Sequence, residues 1–202
     1  MSNINKLLKK AQSGDVDAQF QLGMEYIDKK DYPNALKWLN EAASKDHPRA
    51  IRFLGIIYLR GEGGITEDIP KGIELLKKAS DLNDPIASYV LASLCVNGEL
   101  VEMDIHKRQL LLEKAATEGG IGGAAVNLAN MYLTGIFSSE IDHKKAIHWY
   151  KEAYRLGDYN SANILFHIYL GDFDPEDADS IKAGYWFRIV VQLIDEGKLN
   201  DE

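Results

Sequence analysis

The sequence predicts an all-α fold, a right-handed α-α superhelix (solenoid) of about five helical-hairpin repeats behind an N-terminal capping helix. Two patterns in phase carry that expectation. A leucine recurs at Leu22, Leu54, Leu91, Leu128 and Leu165, separated by 32, 37, 37 and 37 residues. Four residues before each stands a small side chain (Ala18, Ala50, Ala87, Ala124 or Ser161), and positions four apart share one face of a helix. Each such segment is followed by a second that opens on aspartate and, in four of the five, sets a large residue four positions before an alanine. Repetition at this period marks stacked hairpins, because one hairpin alone cannot bury its apolar stripe.

The elements follow in chain order. Residues 3–13, with Leu7 and Ala11 before Gly14, read as an unpaired second helix that caps the stack. The repeats then run over about 15–45, 46–82, 83–119, 120–156 and 157–196, so that 1–202 is one solenoid domain. The first helices carry Leu22-Gly23 and Tyr26, Leu54-Gly55 and Tyr58, Leu91-Ala92 and Cys95, Leu128-Ala129 and Tyr132, and Leu165-Phe166 and Tyr169. The second helices open at Asp31, Asp68, Asp104, Asp142 and Asp179, where a carboxylate accepts orphan backbone N–H groups and meets the positive end of the helix dipole. They end near Asp46, Asn83, Gly119 and Gly157, residue types that tolerate a left-handed stop. Trp38, Trp149 and Trp186 are expected as core anchors and Cys95 as a small buried hydrophobe. The aliphatic residue five after each leucine (Ile27, Leu59, Val96, Leu133, Leu170) is assigned to packing between repeats.

The string A-x3-LG-x2-Y, then G, then D-x2-KA-x2-W-x3-AA resembles the Sel-1-like repeat, a relative of the tetratricopeptide repeat. Ala50, Leu54, Gly55, Tyr58, Gly61, Asp68, Lys71 and Ala79 make a good copy, and Ala146, Trp149 and Ala153 match in the fourth unit. The first unit is shorter and lacks the G-x-G turn, Arg108 replaces a small residue in the third, and Phe166 stands where glycine is usual in the fifth. The resemblance implies a scaffold or adaptor that binds other proteins, with the first helices lining a concave groove. Fold kinship does not name the partner.

With the leucine taken as zero, offsets −5, −2 and +2 fall on the side of each first helix that its hairpin does not need. The partner-binding candidates on that face are Phe20, Met24, Arg49, Arg52, Ile56, Tyr89, Ser93, Asn130, Asn163 and His167, with Asp17 and Asn160 beside them. They vary from repeat to repeat, whereas the scaffold positions recur. Asparagine hydrogen-bonds an extended backbone in both directions, and arginine pairs bidentately with a carboxylate. Two readings stand for the apolar members Phe20, Met24, Ile56 and Tyr89: a groove for a guest, or packing against the next repeat. The polar members suit a solvated face more than a contact surface.

Composition bounds the function. The 202 residues are 46% hydrophobic and 27% charged, enough apolar content for a packed core. A net charge of −8 and a pI near 5.2 disfavour nucleic acid. One cysteine forms no internal disulfide, and the opening residues MSNINKLLKKAQSGD have no signal-peptide pattern. No 18-residue apolar run occurs, so a cytoplasmic protein with no membrane partner is expected. No HExxH, GxxxxGK[ST], GxSxG or SxxK is present, and His143 and His148 lie five apart rather than four. The acidic run Asp172–Asp179 lacks the glycine and glutamate of a calcium loop. No cofactor, metal or catalytic residue is therefore expected. The first expectation is a monomeric, non-enzymatic adaptor for another protein or peptide, possible partners including a basic toxin neutralised as by an immunity protein. The rivals are a hydrolase using the concave surface and a homo-oligomeric structural element.

Overall fold

The structure is a computed structural model and describes residues 3–95, 105–135 and 140–200. Among these are eleven α-helices and no strand. They fall into two compact units, residues 1–103 and 104–202, with the division inside the third expected repeat. Unit 1 holds α1 (Asn3–Gln12), α2 (Val16–Asp28), α3 (Tyr32–Ala43), α4 (Pro48–Arg60), α5 (Ile69–Asp81) and α6 (Pro85–Leu94). Unit 2 holds α7 (Ile105–Thr117), α8 (Gly122–Thr134), α9 (His143–Arg155), α10 (Asn160–Leu170) and α11 (Ser180–Asp195). Within each unit consecutive helices pack on one another: α1 through α6 in the first, α7 through α11 in the second. Val96 and Asp104 lie outside the described residues.

Among the described residues, three second helices start with a clasp assembled from the repeated letters. In the second repeat the Asp68 backbone N–H donates to the Tyr58 carbonyl at 2.9 Å, and the Asp68 carboxylate accepts from the Lys71 N–H at 3.0 Å. The Lys71 ammonium then lies 3.9 Å from the centre of the Tyr58 ring, within cation–π range. The same three contacts join Tyr132, Asp142 and Lys145 in the fourth repeat, and Tyr169, Asp179 and Lys182 in the fifth. Tyrosine, aspartate and lysine thus recur because each satisfies or covers another. The first repeat has Asn34 in the lysine position, and its side-chain amide donates to Asp31 at 2.8 Å. First helices are capped too, α2 by Asp15, α4 by His47 and α6 by Asp84.

The glycine after the leucine marks a close helix crossing. A methyl group on Gly23 would sit 2.8 Å from Leu39, and one on Gly55 would sit 3.1 Å from the Gly72 carbonyl oxygen. Reciprocally, a methyl group on Gly72 would lie 2.9 Å from the Gly55 oxygen and 2.7 Å from Leu59. Alanine takes this position in the third and fourth repeats (Ala92, Ala129), and both are fully buried. In the fifth the bulk of Phe166 is met instead by Phe187, with ring centres 5.5 Å apart.

Leu22, Leu54, Leu91, Leu128 and Leu165 are all interior, as are the small residues one turn before them. Trp38, Trp186 and Cys95 are buried, and the Cys95 thiol donates to the Leu91 carbonyl at 3.1 Å. Three details differ from the sequence reading. Trp149 is half-buried, because the deepest position of the second helix lies one residue on: Leu39, Leu76, Leu112 and Tyr150 fill it. Leu170 is 52% exposed, since it ends α10 just before Gly171 turns the chain, and so does not fill an interface. The left-handed stop after α7 is Gly120, not Gly119; Asp46, Asn83 and Gly157 take that conformation as expected.

Candidate partner-binding site

In unit 1 side chains of α2 form a groove with α1 and the first turn of α4, about 640 Å³ in volume. Asp17, Phe20, Met24 and Arg49, all drawn from the variable first-helix positions, line it together. The Pro48 start and His47 cap place Arg49 at the head of α4, where its guanidinium lies 4.7 Å from the centre of the Phe20 ring. His47 stacks on that ring at 4.7 Å and 20°, and its Nε2 is 3.3 Å from the Asp17 carboxylate. Phe20 itself is buried against Leu39, Ala50 and Leu54, so its packing role holds and its ring forms the base of the groove. Met24 is half-buried and Arg49 exposed.

Sequence reasoning missed the rest of this lining: Ile4 and Leu7 from α1, Gln21, Glu25 and Asp28 from α2, and His47. Their signal was only that α2 continues its outer stripe, since the crossing of α1 over α2 is a tertiary fact.

Arg52 departs from its expected place. It is 6% exposed, and its Nε donates to Asp84 at 3.0 Å while its guanidinium stacks 4.7 Å from the Phe53 ring. A guanidinium carried on a packed helix face must find a counter-charge, and Asp84, one repeat further on, supplies it. Ile56, Tyr89 and Ser93 are half-buried outside the groove, with the Ser93 hydroxyl donating to the Tyr89 carbonyl at 2.8 Å.

In unit 2, Asn163 and its neighbour Asn160 line a cavity of about 520 Å³ with Ile164, Val190, Ile194 and Lys198. Asn130 is exposed, but its Oδ1 accepts from the Tyr150 hydroxyl at 2.5 Å. Burial pushes that phenol up to about 12, with Asp158 adding in the same direction. His167 is half-buried, with Nδ1 2.6 Å from Asp172. His143, Asp174 and Asp177 bring three donor atoms within 4.8 Å of one another, a set that suits a divalent cation, and His143 hydrogen-bonds Asp177 directly. That bond fastens the start of α9 to the turn before α11. Among the described residues no helix is long and apolar enough to cross a membrane.

A family model for the Sel1 repeat matches residues 16–47, 48–84 and 123–158. Of the departures, Arg108 and Phe166 lie in the unmatched stretches. Among solved structures, a protective antigen of uropathogenic Escherichia coli with an SLR fold is 28% identical, with a TM-score of 0.82 over 95% of this chain and 41% of that one. The chain thus spans about two-fifths of the antigen's length. A Sel1 repeat protein from Oxalobacter formigenes is 24% identical, with a TM-score of 0.73 over 94% of this chain and 84% of that one. An immunity protein from Pseudomonas aeruginosa is 18% identical, with a TM-score of 0.57 over 97% of this chain and 74% of that one. No curated protein matches the sequence.

Proposed function

The chain belongs to the Sel1 repeat family, and from that premise we propose that it is a non-enzymatic, cytoplasmic interaction module that captures another protein on its first-helix surfaces. The observation that carries this is the gathering of Phe20, Met24 and Arg49, residues that vary between repeats, around one open groove while the recurring residues fill the interior. A surface preformed on packed helices captures a guest with little reordering, which limits the entropic cost of binding. The partner is a basic protein, steered by the net charge of −8. Neutralisation of a toxin is the form of capture we favour, and the fold shared with a Pseudomonas aeruginosa immunity protein is compatible with it.

A second reading has one observation behind it. Ile181, Tyr185 and Phe187 on α11 are 84%, 53% and 51% exposed, apolar area of the kind that pairs copies of a chain. Light scattering separates the two, since self-association through α11 raises the mass with concentration.

The test of the first reading is affinity capture from native lysate with wild type, Arg49→Glu and Tyr89→Ala, their helical content matched by circular dichroism. A captured protein lost from either variant supports the proposal. Equal capture by all three overturns it.

A further inference from the structure

The groove of unit 1 has a chemistry that specifies its guest more narrowly. Ile4, Leu7 and Met24 are half-buried around the buried Phe20 ring, giving an apolar floor. His47 stacks on the ring and Arg49 lies over it. Along one edge stand Glu25 and Asp28, exposed and three residues apart on the last turn of α2. Among the described residues neither carboxylate is engaged in an ion pair. Both sit at the negative end of the helix dipole, and the last turn of α2 holds no basic residue to offset them. Lys29 and Lys30 follow beyond it, exposed. The helix therefore carries two carboxylates where its own field opposes them, and a cation brought by a guest would relieve both.

We propose that this groove binds a cationic amphipathic segment of a partner protein, with an apolar side chain seated among Ile4, Leu7 and Met24 and a lysine or arginine held by Glu25 and Asp28. The inference rests on the interaction-module reading and narrows it to one site and one guest chemistry. Arg49 and His47 do not compete for the same guest charge: the guanidinium faces the Phe20 ring and the imidazole faces Asp17. The acidic pair and the apolar lining together accept a basic residue near an apolar one, and the carboxylates repel an acidic segment.

The probe is a random-peptide display library selected on the whole chain at low and high salt. Enriched peptides pair an apolar residue with lysine or arginine, and a synthetic copy binds about tenfold more weakly to Glu25→Lys and Asp28→Lys. It binds Glu74→Lys, a reversal on the exposed face of α5, as tightly as wild type. Both groove variants alter exposed side chains, and unchanged circular dichroism verifies their folds. Enrichment of acidic or uncharged peptides, or binding indifferent to both reversals, overturns the assignment. If that occurs while the lysate partner is still lost on Tyr89→Ala, the groove assignment falls and the interaction-module reading stands.

Discussion

Asp84 serves two structures at once. One carboxylate oxygen accepts from the Ala87 N–H at 2.8 Å and so caps α6; the other accepts from Arg52 of α4 at 3.0 Å. Both side chains are nearly excluded from solvent. Removing one member of a buried pair strands the other, so Asp84→Ala is expected to cost about 3–5 kcal/mol, read by urea unfolding. Arg52→Met, which removes the charge but keeps much of the volume, should cost less because Asp84 retains its cap. Tyr150 offers a pH-linked counterpart. Its phenol is raised to about 12 by burial, above the ordinary value near 10. The folded state therefore keeps its proton where the unfolded chain has released it. Its contribution is intact below pH about 10 and is lost as pH rises from there through 12. Alkaline unfolding of Tyr150→Phe, compared with wild type, should show a flatter loss of stability across that window.

At the scale of elements, the α4–α5 crossing depends on two glycines that approach through each other's carbonyls. Gly72→Ala places a methyl group against Leu59 and the Gly55 oxygen. Overpacking of this kind is expected to destabilise the chain by about 1–3 kcal/mol, a shift that thermal unfolding can measure. The hairpins themselves were legible in the sequence, since the leucine and the small residue before it announce the inner face of every first helix. The second helices were legible to within one position. Trp149 drew the reading through its size, yet Tyr150 is the residue that reaches the interior, because the helix is rotated by one residue relative to a stripe centred on the tryptophan.

Over the whole chain, legibility follows the repeat and fades where a residue answers to something outside its own repeat. The apolar interior was readable because it is copied. The role of Arg52 was not, because its partner Asp84 is 32 residues away and nothing in helical spacing pairs them. Met24 and Arg49 could be read onto the outer stripe from helical spacing, but the contribution of Ile4 and Leu7 needed the packing of α1 on α2. The net charge of −8 belongs to this scale too, since it sets which guests approach rather than where they dock.

The tyrosine–aspartate–lysine clasp has a consequence for ancestry. All three groups come from a single stretch of chain no longer than a hairpin, so a copy that carries them brings its own instructions for where its second helix begins. A gene segment encoding one such stretch can be duplicated and spliced beside itself without rewriting the sequence on either side. Arrays of different lengths are then neighbours in evolution rather than separate inventions, and an antigen more than twice as long can share the same architecture at 28% identity.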